Sequence, residues 1–299
     1  MADTATAPGL GLNIPPELRQ KILDRYMATG EGRVKIARSL TQPLRFRRDY
    51  TSQGRKALLV DTLPDGALPI YDKDPEATAF VVGEEGQSIL AIQKPDRVIF
   101  TLFEIASNPE FPLTQIRERR YDLVKRGQDL AIAEIQAAED IRVFATFDAV
   151  QAVGFGGFPP NPDKVVTAPL TPDILADAWA DIETHDVRVA RMFMNAKDYT
   201  DLRKFGRDTL DFQTQAVLLH TGLLATLWGV QILVTRVVPR GIVYVCGDKE
   251  FLGRIPERTP LTVLSADDPK RRRVGFSIFE QIGIGVNNPL ALSRILISR

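Results

Sequence analysis

Cysteine and histidine are nearly absent from this 299-residue chain: Cys246 is the single thiol, and His185 and His220 are the two imidazoles. One cysteine excludes an internal disulfide framework and any CxxC metal knuckle, and it matches the usage of a reducing compartment. Two histidines far apart in sequence remove the usual material of zinc sites and triad chemistry. No GxxxxGK[ST], HExxH or GxSxG motif occurs. Net charge is missing as well. The 38 basic and 38 acidic residues cancel, so any attraction to nucleic acid or an anionic membrane has to be local. Residues 1–11 lack the basic start and apolar stretch of a secretory signal. The longest uncharged run, residues 212–235, contains Gln213, Gln215, His220 and Gln231 and is interrupted by Gly222 and Gly229. It reads as a loop and a buried strand rather than a membrane span. The 44% hydrophobic share at this length provides for two domains, or one elaborated domain, with a full core.

What the chain does have is segregated charge. Residues 33–56 hold eight basic side chains (Arg33, Lys35, Arg38, Arg45, Arg47, Arg48, Arg55, Lys56) against Asp49 alone, a net of +7. Residues 57–92 hold seven acidic ones (Asp61, Asp65, Asp72, Asp74, Glu76, Glu84, Glu85) against Lys73 alone, a net of −6. One stretch is suited to bind the other. Ahead of this block, Pro15-Pro16-Glu17 opens a short amphipathic helix through about Ala28, with Leu18 and Ile22 on one side and Gly30 and Gly32 ending it. Residues 56–105 then alternate β-rich runs with turn chemistry such as Pro64-Asp65-Gly66, which predicts a long hairpin with an acidic tip near Tyr71-Asp72-Lys73-Asp74. A two-stranded hairpin is marginal alone in water, so this excursion has to lie on something else.

The strongest helical signal runs from Thr114 to about Val150, with Ile116, Leu123, Leu130 and Ala137 recurring at seven and Arg117, Arg119, Arg120, Lys125 and Arg126 on its flanks. After a glycine-rich loop, Thr171-Pro172-Asp173 starts a helix with the stripe Leu175, Ala178, Trp179 and Ile182. Residues 187–194, 230–238, 241–245, 273–280 and 292–297 read as strands, and Asn195 as the cap of a short helix through Leu202. The class is α+β.

Candidate chemistry is thin. Gly154-Phe155-Gly156-Gly157 follows a helix and runs into Pro159-Pro160, where a phosphate cradle needs a helix N-terminus. Cys246 ends an apolar strand and reads as an inert buried thiol. His185 sits at a helix end, where a positive charge suits the dipole, and His220 reads as a structural histidine. Pairs such as Glu84-Glu85 are more simply solvated than a general acid/base couple. Lys270-Arg271-Arg272-Arg273 is a cluster able to bind phosphate without sequence preference, although Asp267-Asp268 precede it and a solvated turn is the equal reading.

Certain local runs and their order carry a likeness. They are Met192-Phe193-Met194-Asn195 before Tyr199 and Leu202; Leu227-Trp228-Gly229-Val230-Gln231-Ile232 leading to Val238-Pro239-Arg240-Gly241 and Gly247-Asp248; and Ile282-Gly283-Ile284-Gly285-Val286 before residues 292–297. With the arm, loop and long helix ahead of them, the chain resembles the major capsid proteins of tailed double-stranded-DNA phages, the Hong Kong 97-like fold. That resemblance implies an N-terminal arm (1–49), an extended β-hairpin loop (50–109), a spine helix with peripheral domain (110–163), an axial domain (164–266) and peripheral return strands (267–299). It implies self-assembly into hexamers and pentamers of an icosahedral shell around packaged double-stranded DNA, in a virion capsid assembled in the host cytoplasm. No cofactor, metal, catalysis or membrane is expected. The loop residues Tyr71, Asp72, Asp74, Glu76, Glu84 and Glu85, and the arm residues Arg38, Arg45, Arg47 and Arg48, would then be inter-subunit. Arg117, Arg120, Lys270, Arg271 and Arg272 would face DNA or acidic neighbours.

About 45 residues precede the loop, which implies a separate scaffolding protein; a portal and a decoration protein are further partners of the family. Some relatives cross-link a loop lysine to an asparagine, and Lys73 with Asn287 or Asn288 are of those types, though asparagine after a strand is ordinary turn chemistry. The rivals are a nanocompartment shell of the same fold enclosing a cargo enzyme, and a cytoplasmic α/β enzyme.

Overall fold

The computed structural model describes residues 50–64, 66–73, 97–114, 123–205, 226–268 and 270–298. The expected arm, the hairpin beyond Lys73 and most of the run 212–235 lie outside them. Strands β1 (Leu59–Thr62), β2 (Ile70–Asp72), β3 (Arg97–Ile99), β4 (Leu102–Ser107) and β5 (Glu110–Pro112) lead to helix α1 (Leu123–Val153). Then come β6 (Lys164–Val166), α2 (Pro172–Glu183), β7 (Val189–Met194), α3 (Tyr199–Leu202), β8 (Thr226–Leu227), β9 (Val230–Val234) and β10 (Ile242–Gly247). The chain closes with α4 (Lys249–Leu252), β11 (Gly253–Ser265), β12 (Arg273–Gly283), β13 (Gly285–Val286) and β14 (Leu292–Ile297).

Helix α1 explains how two sheets share one body. One line of its buried positions is Ala131, Ile135, Glu139, Val143 and Phe147, each four residues on, and then Val150, with Ala133, Ala137, Asp140, Phe144 and Gln151 buried beside it. Four residues advance a 3.6-residue helix by about 40° beyond a full turn, so from Ala131 to Phe147 the buried line rotates by roughly 160°. The early part therefore packs with Ile278 of β12, while Val143, Phe144, Phe147 and Val150 enter the main core. The seven-residue stripe read from sequence follows this turn only in part: Ala137 is buried but Leu130 is 36% exposed, because a heptad line drifts little on the helix surface and this buried line does not stay on one face.

The first sheet has the order β1-β11-β12-β4, with β13 beside β11 and β5 beside β12; the second has the order β6-β14-β10-β7-β9-β8. In the second, β10 is buried from Val243 to Gly247 and β7 carries fully buried Met192, Phe193 and Met194. Both strands are covered on two faces, which is why they read as near-continuous apolar runs. Phe144, Phe147, Phe193 and Tyr244 form an aromatic cluster with centroids 5.4–5.8 Å apart. Its polar end is satisfied: the Tyr244 hydroxyl donates to Asp148 Oδ1 at 2.9 Å, and Arg294 reaches both Asp148 and Asp163. Burial and the neighbouring Asp148 carboxylate raise the Tyr244 phenol far above its ordinary value.

Strand pairing links the stretches 164–266 and 267–299. Gly253–Ser265 leaves the second sheet and pairs with β12 and β1. Conversely, Leu292–Ile297 does not join β12 and β4 but inserts between β10 and β6, with Ile295 opposite Val243. Leu292 and Ile295 are fully buried there, and only a central position buries both faces of so apolar a strand. At this strand's end Gly241, in the left-handed region at φ 84°, accepts from the Ile297 amide; a side chain there would meet the Ile297 carbonyl at 2.7 Å.

Candidate functional site: the root of the extended loop

Residues 50–58 are fastened to α1 before the chain departs along β1. A single 3₁₀ turn, Gly54–Lys56, points its free amides at the helix, and Asp140 collects them. Its Oδ2 accepts from Gln53 N at 2.8 Å and from the Tyr50 hydroxyl; its Oδ1 accepts from Gly54 N at 2.9 Å and Ser52 Oγ at 2.8 Å. Four donors satisfy a carboxylate that is fully buried. A Cβ on Gly54 would lie 2.6 Å from Asp140 Oδ1, so this approach requires glycine. Burial, followed by the bond to Asp140, raises the Tyr50 phenol well above its ordinary value. Ala57 and Leu58 then enter the core.

Arg55 is the second fastening. Its Nε donates to Glu139 Oε1 of α1 at 2.7 Å, one terminal nitrogen to Glu257 of β11 at 3.3 Å, and the other to Glu280 of β12 at 3.1 Å. The three carboxyl side chains are at most 8% exposed, against 30% for the arginine. One guanidinium thus joins the loop root to the helix and to both long strands of the first sheet. Burial pushes the Glu139 carboxyl up to about 7 against the opposing pull of Arg55, and Glu280 adds to the rise. Glu280 is raised for the same first reason.

Beyond β1 the chain forms the base of a hairpin, with Ile70 opposite Ile99 and Asp72 opposite Arg97. Its inner face is anchored. The Tyr71 hydroxyl donates to Asp61 at 2.9 Å, its ring lies under the Arg254 guanidinium at 5.3 Å and against Phe100 at 5.4 Å, and burial pushes its phenol up to about 12. Lys73 donates to the Gly156 carbonyl at 2.9 Å and sits over the Phe158 ring. Beneath lies a cavity of about 320 Å³ lined by Tyr71, Lys73, Phe158, Phe251 and Asn288, among others. The outer face is not covered: Leu68 is 67% exposed, Ile70 40% and Ile99 66%.

Of the loop residues singled out in sequence, Tyr71 turns inward to Asp61, and Asp72 makes an exposed 2.9 Å pair with Arg97. Asp74, Glu76, Glu84, Glu85, Arg38, Arg45, Arg47, Arg48, Arg117 and Arg120 lie outside the described residues. Lys270, Arg271 and Arg272 are exposed at the tip of the β11–β12 ribbon. Asp268 shapes that tip: its Oδ1 accepts from the Lys270 and Arg271 amides, and Arg272 adopts a left-handed φ of 52°. Cys246 is fully buried, and burial raises its thiol. Gly154, Gly156 and Gly157, all with positive φ, fold the Phe155–Phe158 turn rather than a phosphate cradle. Asn288 Oδ1 accepts from Leu290 N as a turn cap.

Sequence reading missed the acidic hub. The available signal was Glu139-Asp140 lying on an otherwise apolar stripe, where unpaired carboxylates are not tolerated. Among the described residues, no group of three or more His, Cys, Asp or Glu side chains is placed to hold a metal ion, and no helix is long and apolar enough to cross a membrane.

No protein-family model and no curated protein matches the sequence. The architecture is nevertheless similar to solved capsids. Against the capsid of the cyanophage P-SCSP1u the TM-score is 0.70 at 10% identity, covering 86% of this chain and 91% of that one. Against the mature capsid of bacteriophage PhiM1 it is 0.67 at 10% identity, over 87% and 91%. Against the capsid of a native GTA particle it is 0.64 at 18% identity, over 87% and 96%. At such identities the likeness is one of fold: the chain carries the α+β fold of phage capsid subunits.

Proposed function

We propose that this protein is the major capsid protein of a tailed phage or phage-like particle, a subunit with no catalysis of its own that assembles into an icosahedral shell of hexamers and pentamers around double-stranded DNA. The observation that carries this reading is a capsid fold extending over nearly all of both chains, joined to a hairpin whose outer face leaves Leu68, Ile70 and Ile99 uncovered. A β-ribbon of that kind gains its burial from a neighbouring copy. In this reading residues 50–109 are the extended loop lying across that neighbour, and the acidic residues 57–92 meet the basic residues 33–56 of another copy. Such complementarity fixes register and partner more than it adds affinity. The exposed Lys270, Arg271 and Arg272 face the packaged DNA and bind phosphate without sequence preference. A separate scaffolding protein, a portal and a decoration protein are the further partners, and assembly takes place in the host cytoplasm. The nanocompartment is the lesser reading, because the fold is similar to solved phage and GTA capsids.

The test is electron microscopy of the full-length chain expressed with its gene neighbours. Closed shells that protect double-stranded DNA from nuclease are expected. Shells filled with a cargo enzyme would favour the nanocompartment, and a monomer with turnover on a small substrate would overturn both.

A further inference from the structure

The hub around Arg55 contains more carboxylates than cations. Glu139, Glu257 and Glu280 share one guanidinium, and next to them Asp140 is held by neutral donors alone. With all three glutamates ionised, three buried negative charges would face one positive charge, with Asp140 beside them. Two oxygens expose the problem. Glu139 Oε2 and Glu280 Oε1 are buried and have no hydrogen-bond partner among the described residues. An ionised oxygen in that position is costly unless a donor compensates it. The two side chains meet the arginine at Nε and at one terminal nitrogen, so both are drawn to the same planar group. A proton on either one removes a charge and turns an acceptor into a donor. No metal-holding arrangement exists among the described residues to supply the missing positive charge instead.

We propose that the Glu139–Glu280 couple holds one proton near neutrality, and that this proton is what locks the loop root, residues 50–58, onto helix α1. Its loss leaves an excess negative charge beside Arg55 and lets the root open while the two sheets stay folded. The charged groups facing the couple from the packed elements are Arg55 on the 3₁₀ turn, Asp140 on α1 and Glu257 on β11. Further out, Arg236 lies 5.1 Å over the Tyr50 ring and 3.7 Å from Glu134, and Glu104 of β4 stands opposite Gln281. The sign follows from linkage. A carboxyl whose folded value is about 7, above the ordinary carboxylate range, keeps more protons folded than unfolded between the two values. Its contribution to stability is therefore complete at low pH and is lost as pH rises through about 7. This behaviour belongs to the single subunit and stands independently of shell assembly.

The experiment is hydrogen exchange on the unassembled full-length chain at pH 6 and pH 8.5, corrected for intrinsic exchange. Opening of residues 50–58 is expected to rise about tenfold at the higher pH, with β10 and β14 unchanged. Glu139→Gln or Glu280→Gln keeps the shape and fixes the neutral state, and is expected to reduce the rise to less than about twofold. A wild-type root that opens equally at both pH values, or both variants retaining the wild-type profile, overturns the proposal. If neither variant folds, infrared spectroscopy of the wild type decides. A protonated-carboxyl band present at pH 6 and lost by pH 8.5 is expected, and its absence at pH 6 overturns the proposal.

Discussion

The second sheet and the β2–β3 hairpin are built from similar residues with opposite outcomes. In β10 and β14, Val243, Val245, Leu292 and Ile295 are fully buried by neighbours from the same chain. In the hairpin, Ile70 and Ile99 face each other across the ribbon and both remain exposed. The sheet completes itself within one subunit, whereas among the described residues the hairpin base is fixed on its inner face, by Tyr71, Arg254 and Lys73. On the proposed function, the difference teaches where one subunit's own stability ends and its assembly begins. Between the two lies the hub, where Arg55 and Asp140 tie the segment leading to the hairpin to helix α1 through buried polar contacts.

The comparison breaks most severely in the core. Phe147→Ala removes a fully buried ring from the aromatic cluster and is expected to lower unfolding stability by about 3–5 kcal/mol in denaturant titration. Arg55→Met comes next. It strands three buried carboxylates, with a loss of about 3 kcal/mol that is greater at pH 8.5 than at pH 6. Ile70→Asp with Ile99→Asp sharpens the contrast: unfolding of the free subunit should change by less than about 0.5 kcal/mol, because both positions are surface positions there, while the yield of closed particles collapses in sedimentation. The smallest effect is expected from Lys270→Gln with Arg271→Gln, which leaves folding and shell formation unchanged and lowers the salt dependence of DNA retention by about one unit of slope per charge removed.

Much of this was legible in the sequence where local chemistry decides. Thr171-Pro172 starts a helix at Pro172, and the buried stripe Leu175, Ala178, Trp179 and Ile182 is the one its periodicity predicts. Strand β14 falls on residues 292–297 as read. What was not legible is non-local. The sheet that β14 joins is set by register against Val243 and Lys164, far away in the chain. The rotation of the buried face along α1 depends on which sheet each turn meets, so of one apolar stripe Leu130 is exposed and Ala137, seven residues on, is buried. The hub was hidden because its four members come from residues 55, 139, 257 and 280, and no short-range pattern connects them.

The most direct test of the central claim compares hydrogen exchange of the hairpin base, residues 68–72 and 97–99, in the free subunit and in the purified particle. Strong protection of these residues gained only on assembly, while β10 and β14 are protected equally in both states, is the predicted result. Equal protection of the hairpin in a chain that stays monomeric at high concentration would contradict the account.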